Sequence, residues 1–106
     1  MLGLIKNMFG GSNNEELKNI IKNGALLIDV RTPSEFADGS VKGAINIPVD
    51  SIEKQTNKIK NKNNIVVFCR SGARSAMAKS ILEKNGFKNV VNGGTKNNVN
   101  NCLFEN

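Results

Sequence analysis

Short apolar runs of strand length alternate with amphipathic segments of helix length along this chain, and that alternation limits the architectures open to it. Ala25 to Val30 is apolar except at Asp29, Ala44 to Ile47 is stopped by Pro48, Ile65-Val66-Val67-Phe68 is apolar throughout and β-rich, and Asn89-Val90-Val91 comes last. Continuous apolar runs of this kind belong to strands covered on both faces. Between them lie helix signals. Ser12-Asn13-Asn14-Glu15 has capping-box spacing and leads a stripe of Leu17, Ile20 and Ile21 that Asn23-Gly24 closes. Thr32-Pro33-Ser34-Glu35 opens a short helical turn, with Thr32 as cap and Pro33 at the first helical position. Asp50-Ser51-Ile52-Glu53 repeats the capping-box pattern ahead of Ile52, Thr56 and Ile59 on one helical face. After residue 75, Ala78 and Leu82 share one stripe and Met77 and Ile81 the next, ended by Asn85-Gly86 with Phe87 where a Schellman cap places its hydrophobic contact. Strands alternating with helices require right-handed crossovers. The expectation is an α/β fold in which a small, mostly parallel central sheet of about four to five strands is flanked by helices on both faces.

At 106 residues the chain has room for a single core. Residues 12–98 are assigned to that domain. Residues 1–11 are read as an apolar turn or short helix, because Leu4, Ile5, Met8 and Phe9 fall at helical spacing, and residues 99–106 as a polar tail expected to be poorly ordered. The first nine residues are interrupted by Lys6 and lack both a signal peptide's apolar length and its small-residue cleavage site. No apolar stretch approaches the roughly 18 residues that span a bilayer. The expected setting is therefore cytoplasmic, with reduced thiols and no membrane partner.

Composition narrows the chemistry. There is no histidine, which removes a Ser-His-Asp triad, a Cys-His pair and a His-ligated metal, and two cysteines, Cys69 and Cys102, are too few for a Cys-only zinc site or a disulfide scaffold. No metal and no cofactor are expected. The formal charge of +6 raises nucleic-acid binding as a possibility, but the lysines are scattered and Trp and Tyr are absent, so stacking platforms are scarce and no nucleic-acid partner is expected. A positive field that attracts a small anion fits the same charge.

The chemistry-bearing segment is Cys69-Arg70-Ser71-Gly72-Ala73-Arg74-Ser75, directly after the apolar run at residues 65–68 and directly before a helix. A thiolate there faces backbone N–H groups without intrahelical partners and the positive end of the helix dipole, so its pKa should fall. Gly72 lets the loop curl so that successive N–H groups point inward as an anion nest. Of the three arginines in the chain, two, Arg70 and Arg74, lie in this loop, where paired guanidinium hydrogen bonds can hold an anion. Cys69 is the candidate nucleophile. Cys102 is read as an ordinary cysteine on a flexible tail rather than a resolving thiol, since nothing beside it would lower its pKa.

These residues, together with Ile28-Asp29-Val30-Arg31, Glu35-Phe36, Gly39, Gly43-Ala44-Ile45-Asn46-Ile47-Pro48 and the late Asn92-Gly93-Gly94, stand in an order and spacing that resembles the rhodanese-like sulfurtransferases, of the short single-domain kind. The resemblance covers about residues 12 to 98. It implies that Cys69 takes a sulfane sulfur from a small anionic donor such as thiosulfate, becomes a persulfide, and passes the sulfur to cyanide, a thiol or a protein acceptor. In that picture the amides of Arg70, Ser71, Gly72, Ala73, Arg74 and Ser75 cradle the outer sulfur, Arg70 and Arg74 position the donor, and Asp29, Arg31 and Glu35 pin loops near the pocket rim. The protein is taken to act as a monomer. The family usually has a histidine where this chain has Ser40, for which a modest loss of loop anchoring is expected, and often a tryptophan where it has Asn98, for which an open pocket rim is expected.

Two alternatives come from other chemistry. Cysteine-dependent phosphatases and arsenate reductases also hold a thiolate in an anion loop, but theirs has five residues between Cys and Arg, and here four separate Cys69 from Arg74, a narrower cradle suited to one sulfur. A non-enzymatic persulfide carrier or redox-sensing module would share the same loop and differ in turnover.

Overall fold

The computed structural model describes residues 14–104. The expectations for residues 1–11 and for Ser12 and Asn13 of the first capping box lie outside the described residues. From Asn14 the elements are α1 (Asn14–Lys22), β1 (Leu26–Asp29), α2 (Pro33–Ala37), β2 (Ile45–Asn46), a 3-10 segment (Val49–Lys58), β3 (Ile65–Cys69), α3 (Ala73–Lys84), β4 (Val90–Thr95) and α4 (Lys96–Phe104). The four strands form one sheet in the order β2-β1-β3-β4, and every pair is parallel. The expected α/β architecture is present.

Alternation along the central strand divides the core in two. Ile65, Val67 and Cys69 join the cluster that contains Ile52, Ile59, Ala78 and Leu82, under the 3-10 segment and α3. Val66 and Phe68 join Leu17, Val99 and Cys102, under α1 and α4. All five β3 residues are buried, as expected of a strand covered on both faces. The chain runs from β1 outward to the edge strand β2, then crosses back to lay β3 on the other side of β1. The crevice outside the carboxyl ends of β1 and β3 is therefore the switch point where open α/β sheets bind ligands.

Local signals explain most element ends. The Thr32 hydroxyl accepts from the Glu35 N–H at 3.2 Å and the Glu35 carboxylate accepts from the Thr32 N–H at 3.0 Å, a complete capping box at the start of α2. At the end of α3, the Phe87 N–H donates to the Leu82 carbonyl and the Gly86 N–H to that of Glu83, both at 3.1 Å, so the Schellman cap forms as expected.

Three segments depart from the expectation. Asp50 does not cap an α-helix: Val49–Lys58 is a 3-10 segment with Pro48 at its N-cap, and it kinks at Gln55. Pro48 enters extended, and its carbonyl takes the Ser51 N–H at 3.0 Å, the tighter i→i+3 bond, while Ile52 and Ile59 still reach the core. Gly93-Gly94 does not follow the last strand but lies within it. The sequence from Thr95 onward is not a poorly ordered tail as far as Phe104: Lys96–Phe104 is helical, with Val99 and Cys102 buried against α1 and the sheet. Two apolar residues one turn apart suffice to dock a polar helix when its partner surface already exists.

Gly93 is what lets α4 approach. Register along β4 shifts there, with Val67 opposite Asn92 and Phe68 opposite Gly94, so Gly93 is the extra residue of a bulge. A Cβ at Gly93 would stand 2.6 Å from Val99 Cγ2 and 2.9 Å from Val66 Cγ1. Gly93→Ala is expected to destabilise the fold by about 1–3 kcal/mol through overpacking, read from denaturant unfolding.

Candidate active site

Cys69 ends β3, and its sulfur lies under the loop that enters α3. Gly72 is the N-cap of α3 and adopts φ +98°, a left-handed conformation that costs an L-residue of order 1–2 kcal/mol. Space is not the reason for glycine here, since a Cβ would meet nothing closer than Gly94 Cα at 3.9 Å. The turn aims the Gly72 N–H at Cys69 Sγ, 2.9 Å away, and the first turn of α3 brings the Ser75 N–H to 3.4 Å. The Ser75 hydroxyl is 3.5 Å from the same sulfur. Burial works against a charged sulfur, but hydrogen bonding with the Ser75 hydroxyl and with the N–H groups of Ser75, Gly72 and Ser71 outweighs it and holds the Cys69 pKa below the ordinary thiol value of 9.0. The thiol has no exposed surface, whereas Arg70, Ser71 and Ala73 above it are exposed, so one layer of loop separates it from solvent.

Ser75 is held from behind. Its hydroxyl is 2.7 Å from Asn92 Oδ1 and 3.0 Å from the Gly72 carbonyl, and Asn92 Oδ1 also accepts the Gly94 N–H at 2.9 Å. Asn92 thus links the bulge in β4 to the serine beside the sulfur. The sequence marked it merely as the residue before a double glycine; a polar side chain between an apolar strand and a bulge was the available signal.

A second layer pins the neighbouring strand end. The buried Asp29 carboxylate takes two bonds from the Arg31 guanidinium (Nε 2.9 Å to Oδ1, Nη2 2.7 Å to Oδ2), one from the Arg31 N–H at 3.0 Å, and one from the Ser40 hydroxyl at 2.7 Å. Burial opposes its charge, yet the Arg31 and Ser40 bonds prevail and keep its pKa below 3.8. Arg31 also donates to the Gly39 carbonyl at 2.8 Å, and the Asn46 amide donates to the carbonyls of Asp29 and Arg31 at 2.9 and 3.0 Å. Ser40 anchors the loop directly through its hydroxyl bond to Asp29. Thr95 caps the start of α4, its Oγ1 accepting the Asn98 N–H at 3.0 Å, and the Asn98 side-chain amide donates to the Gly93 carbonyl at 2.8 Å.

The two loop arginines part company. Arg74 is bonded to Glu35 through both terminal nitrogens, at 2.8 and 3.2 Å, tying α3 to α2. Arg70 is exposed and lines an open cleft of about 310 Å³ with Arg31, Glu35, Asp38, Gly39 and Thr95. Cys102 is buried in the cluster on the opposite face of the sheet from Cys69, so β3 stands between the two thiols. Among the described residues no group of His, Cys, Asp and Glu is arranged to hold a metal ion, and no helix is long and apolar enough to cross a membrane.

Comparison with known proteins assigns the chain to a family. The Rhodanese-like domain model matches residues 13–98, and the chain belongs to that family. It is 41% identical over 69 residues to thiosulfate sulfurtransferase PspE of Escherichia coli, which covers 63% of this chain and 66% of that one. It is 36% identical over 66 residues to the putative sulfur carrier protein YrkF of Bacillus subtilis, which covers 62% of this chain and 36% of that longer one. Among solved structures, the rhodanese with anions from E. coli superimposes with a TM-score of 0.66 at 32% identity, over 71% of this chain and 91% of that one.

The Arg74 bond holds the Glu35 carboxyl well down, at about 2 against an ordinary 4.5. A carboxyl with a depressed folded pKa contributes stability above its unfolded value and loses it as the pH falls through the folded one. The stability difference between wild type and Arg74→Gln is therefore expected to be full above pH 4.5 and to vanish as the pH approaches about 2, measured by denaturant unfolding across that range. A difference that stays constant with pH would show that the pair does not carry it. Asn92→Ala leaves the Gly94 N–H without its acceptor and is expected to lower stability by about 1–3 kcal/mol in the same assay.

Proposed function

We propose that this protein is a sulfurtransferase that carries a sulfane sulfur as a persulfide on Cys69. The supporting observation is the short bond from the Gly72 N–H to Cys69 Sγ, backed by the Ser75 N–H, in a fold shared with named sulfurtransferases. In the first half-reaction the Cys69 thiolate attacks the outer sulfur of thiosulfate. The new S–S bond forms as the old one breaks, and sulfite leaves with the bonding electron pair, so the charge of −3 is conserved. In the second, a nucleophile such as cyanide or a thiolate takes the outer sulfur, and the Cys69 thiolate is regenerated. No proton need be stored, which suits a site in a chain without histidine. The backbone amides of Arg70 to Ser75 hold the sulfur that carries the negative charge, first Cys69 Sγ and then the persulfide's outer atom. The donor is a small anion, the acceptor a thiol or a protein, and the setting a reducing, cytoplasmic one.

One observation favours a slower variant of the same chemistry. The absence of exposed surface at Cys69, together with the likeness to a protein named a sulfur carrier, fits a persulfide carrier that reacts chiefly with a docked partner. The two differ in turnover: an enzyme cycles thiosulfate and cyanide to thiocyanate, and a carrier is loaded once and waits.

Intact-mass spectrometry after incubation with thiosulfate is expected to show a gain of one sulfur atom on wild type and none on Cys69→Ser, with Cys102→Ser behaving as wild type. Equal gain on wild type and Cys69→Ser would overturn the assignment.

A further inference from the structure

Cations that line the cleft beside Cys69 differ in whether their charge is already spent. Arg31 is bonded to Asp29, and the Glu35 carboxylate in the same lining is bonded to Arg74. Arg70 and Lys96 also line the cleft, and neither has a carboxylate within ion-pair distance among the described residues. Against these two stands Asp38, the remaining carboxylate in the lining. The cleft therefore keeps one uncompensated positive charge.

Lys96 is placed by the strand that flanks the nucleophile. Thr95 is registered beside Cys69 across the β3–β4 pair, and Lys96 is the next residue, the first of α4. Its side chain runs from there toward the turn after α2, where Nζ lies 3.9 Å from where a Gly39 Cβ would stand. That glycine's carbonyl is bonded to Arg31, so the far side of the cleft is fixed. Lys96 thus spans the mouth from the end of β4 to the Gly39 turn, while Arg70 borders it from the residue after Cys69. It is half-buried, which shields its charge from full screening.

We propose that Lys96 is a donor-binding residue that, with Arg70, holds the oxyanion end of a sulfur donor and makes the site select doubly charged donors over singly charged ones. This rests on the assignment of Cys69 as the persulfide carrier. Coulomb attraction to one lysine scales with donor charge, so losing it should penalise a dianion by about the square of the factor for a monoanion at the same position.

The donor half-reaction separates the possibilities, with thiosulfate as the dianion and benzenethiosulfonate as the monoanion. In both, the Cys69 thiolate takes the outer sulfur, and sulfite or benzenesulfinate leaves with the electron pair. The second-order rate of persulfide formation on Lys96→Gln is expected to fall about ninefold with thiosulfate and about threefold with benzenethiosulfonate, with the thermal midpoint unchanged. Lys96→Arg should restore both rates. Lys88→Gln, which removes the same charge from the segment before β4 at the opposite end of the sheet, should change neither. Raising the salt concentration should bring the wild-type and Lys96→Gln rates together. Equal losses for the two donors, or no loss, would overturn the role of Lys96 while leaving that of Cys69 standing. Failure of wild type to form a persulfide with either donor would overturn both.

Discussion

The site depends on backbone N–H groups that point at a sulfur atom instead of closing a helical turn. The first N–H groups of any helix lack partners, and α3 begins immediately after the strand that carries Cys69, so the thiol lies where those donors converge. Three features hold this arrangement: a buried strand that fixes Cys69, a glycine at φ +98° that reverses the chain, and a serine whose hydroxyl is tied to Asn92 behind it. Charged side chains act a layer further out. Asp29 and Arg31 neutralise each other, as do Glu35 and Arg74, and their effect is to lock α2, α3 and the turn at Gly39 around the cleft.

That division matters for the chemistry. A main-chain donor stabilises an anion in place without a pKa of its own in the working range and without the rotamer entropy of a long side chain. A persulfide carrier needs an anion stabilised equally before and after the sulfur is added, and amides serve both states. The arginine that the sequence places in the loop for anion binding, Arg74, is bonded to Glu35, which leaves Arg70 and Lys96 as the cleft cations with no carboxylate partner among the described residues.

Much of this was legible in the residues. The apolar run at 65–68, the caps at Thr32 and Gly86, and the glycine in the loop are local signals, and each element they mark is present. What escaped depended on tertiary context. Gly93-Gly94 looks like a turn by composition but serves as a bulge, because α4 must pack against the strand there and a Cβ would collide with Val99. The stretch after Thr95 looks unstructured because asparagine dominates it, yet Val99 and Cys102 meet an apolar surface that α1 and Phe68 have already formed. Pro48 overrode the capping-box pattern at Asp50. Lys96 could not be distinguished from the other lysines, since its significance comes from the pairing of Thr95 with Cys69 across two strands distant in sequence.

The central claim is that main-chain amides hold the Cys69 sulfur as an anion. Amide nuclear magnetic resonance of the wild-type chain during a pH titration tests it most directly, because the donor groups report on the acceptor's charge. The Gly72 and Ser75 amide resonances should shift together with a common midpoint below the ordinary thiol value of 9.0, and the shift should be absent in Cys69→Ser. A midpoint at or above 9.0, or amides that do not respond when the thiol titrates, would contradict the account.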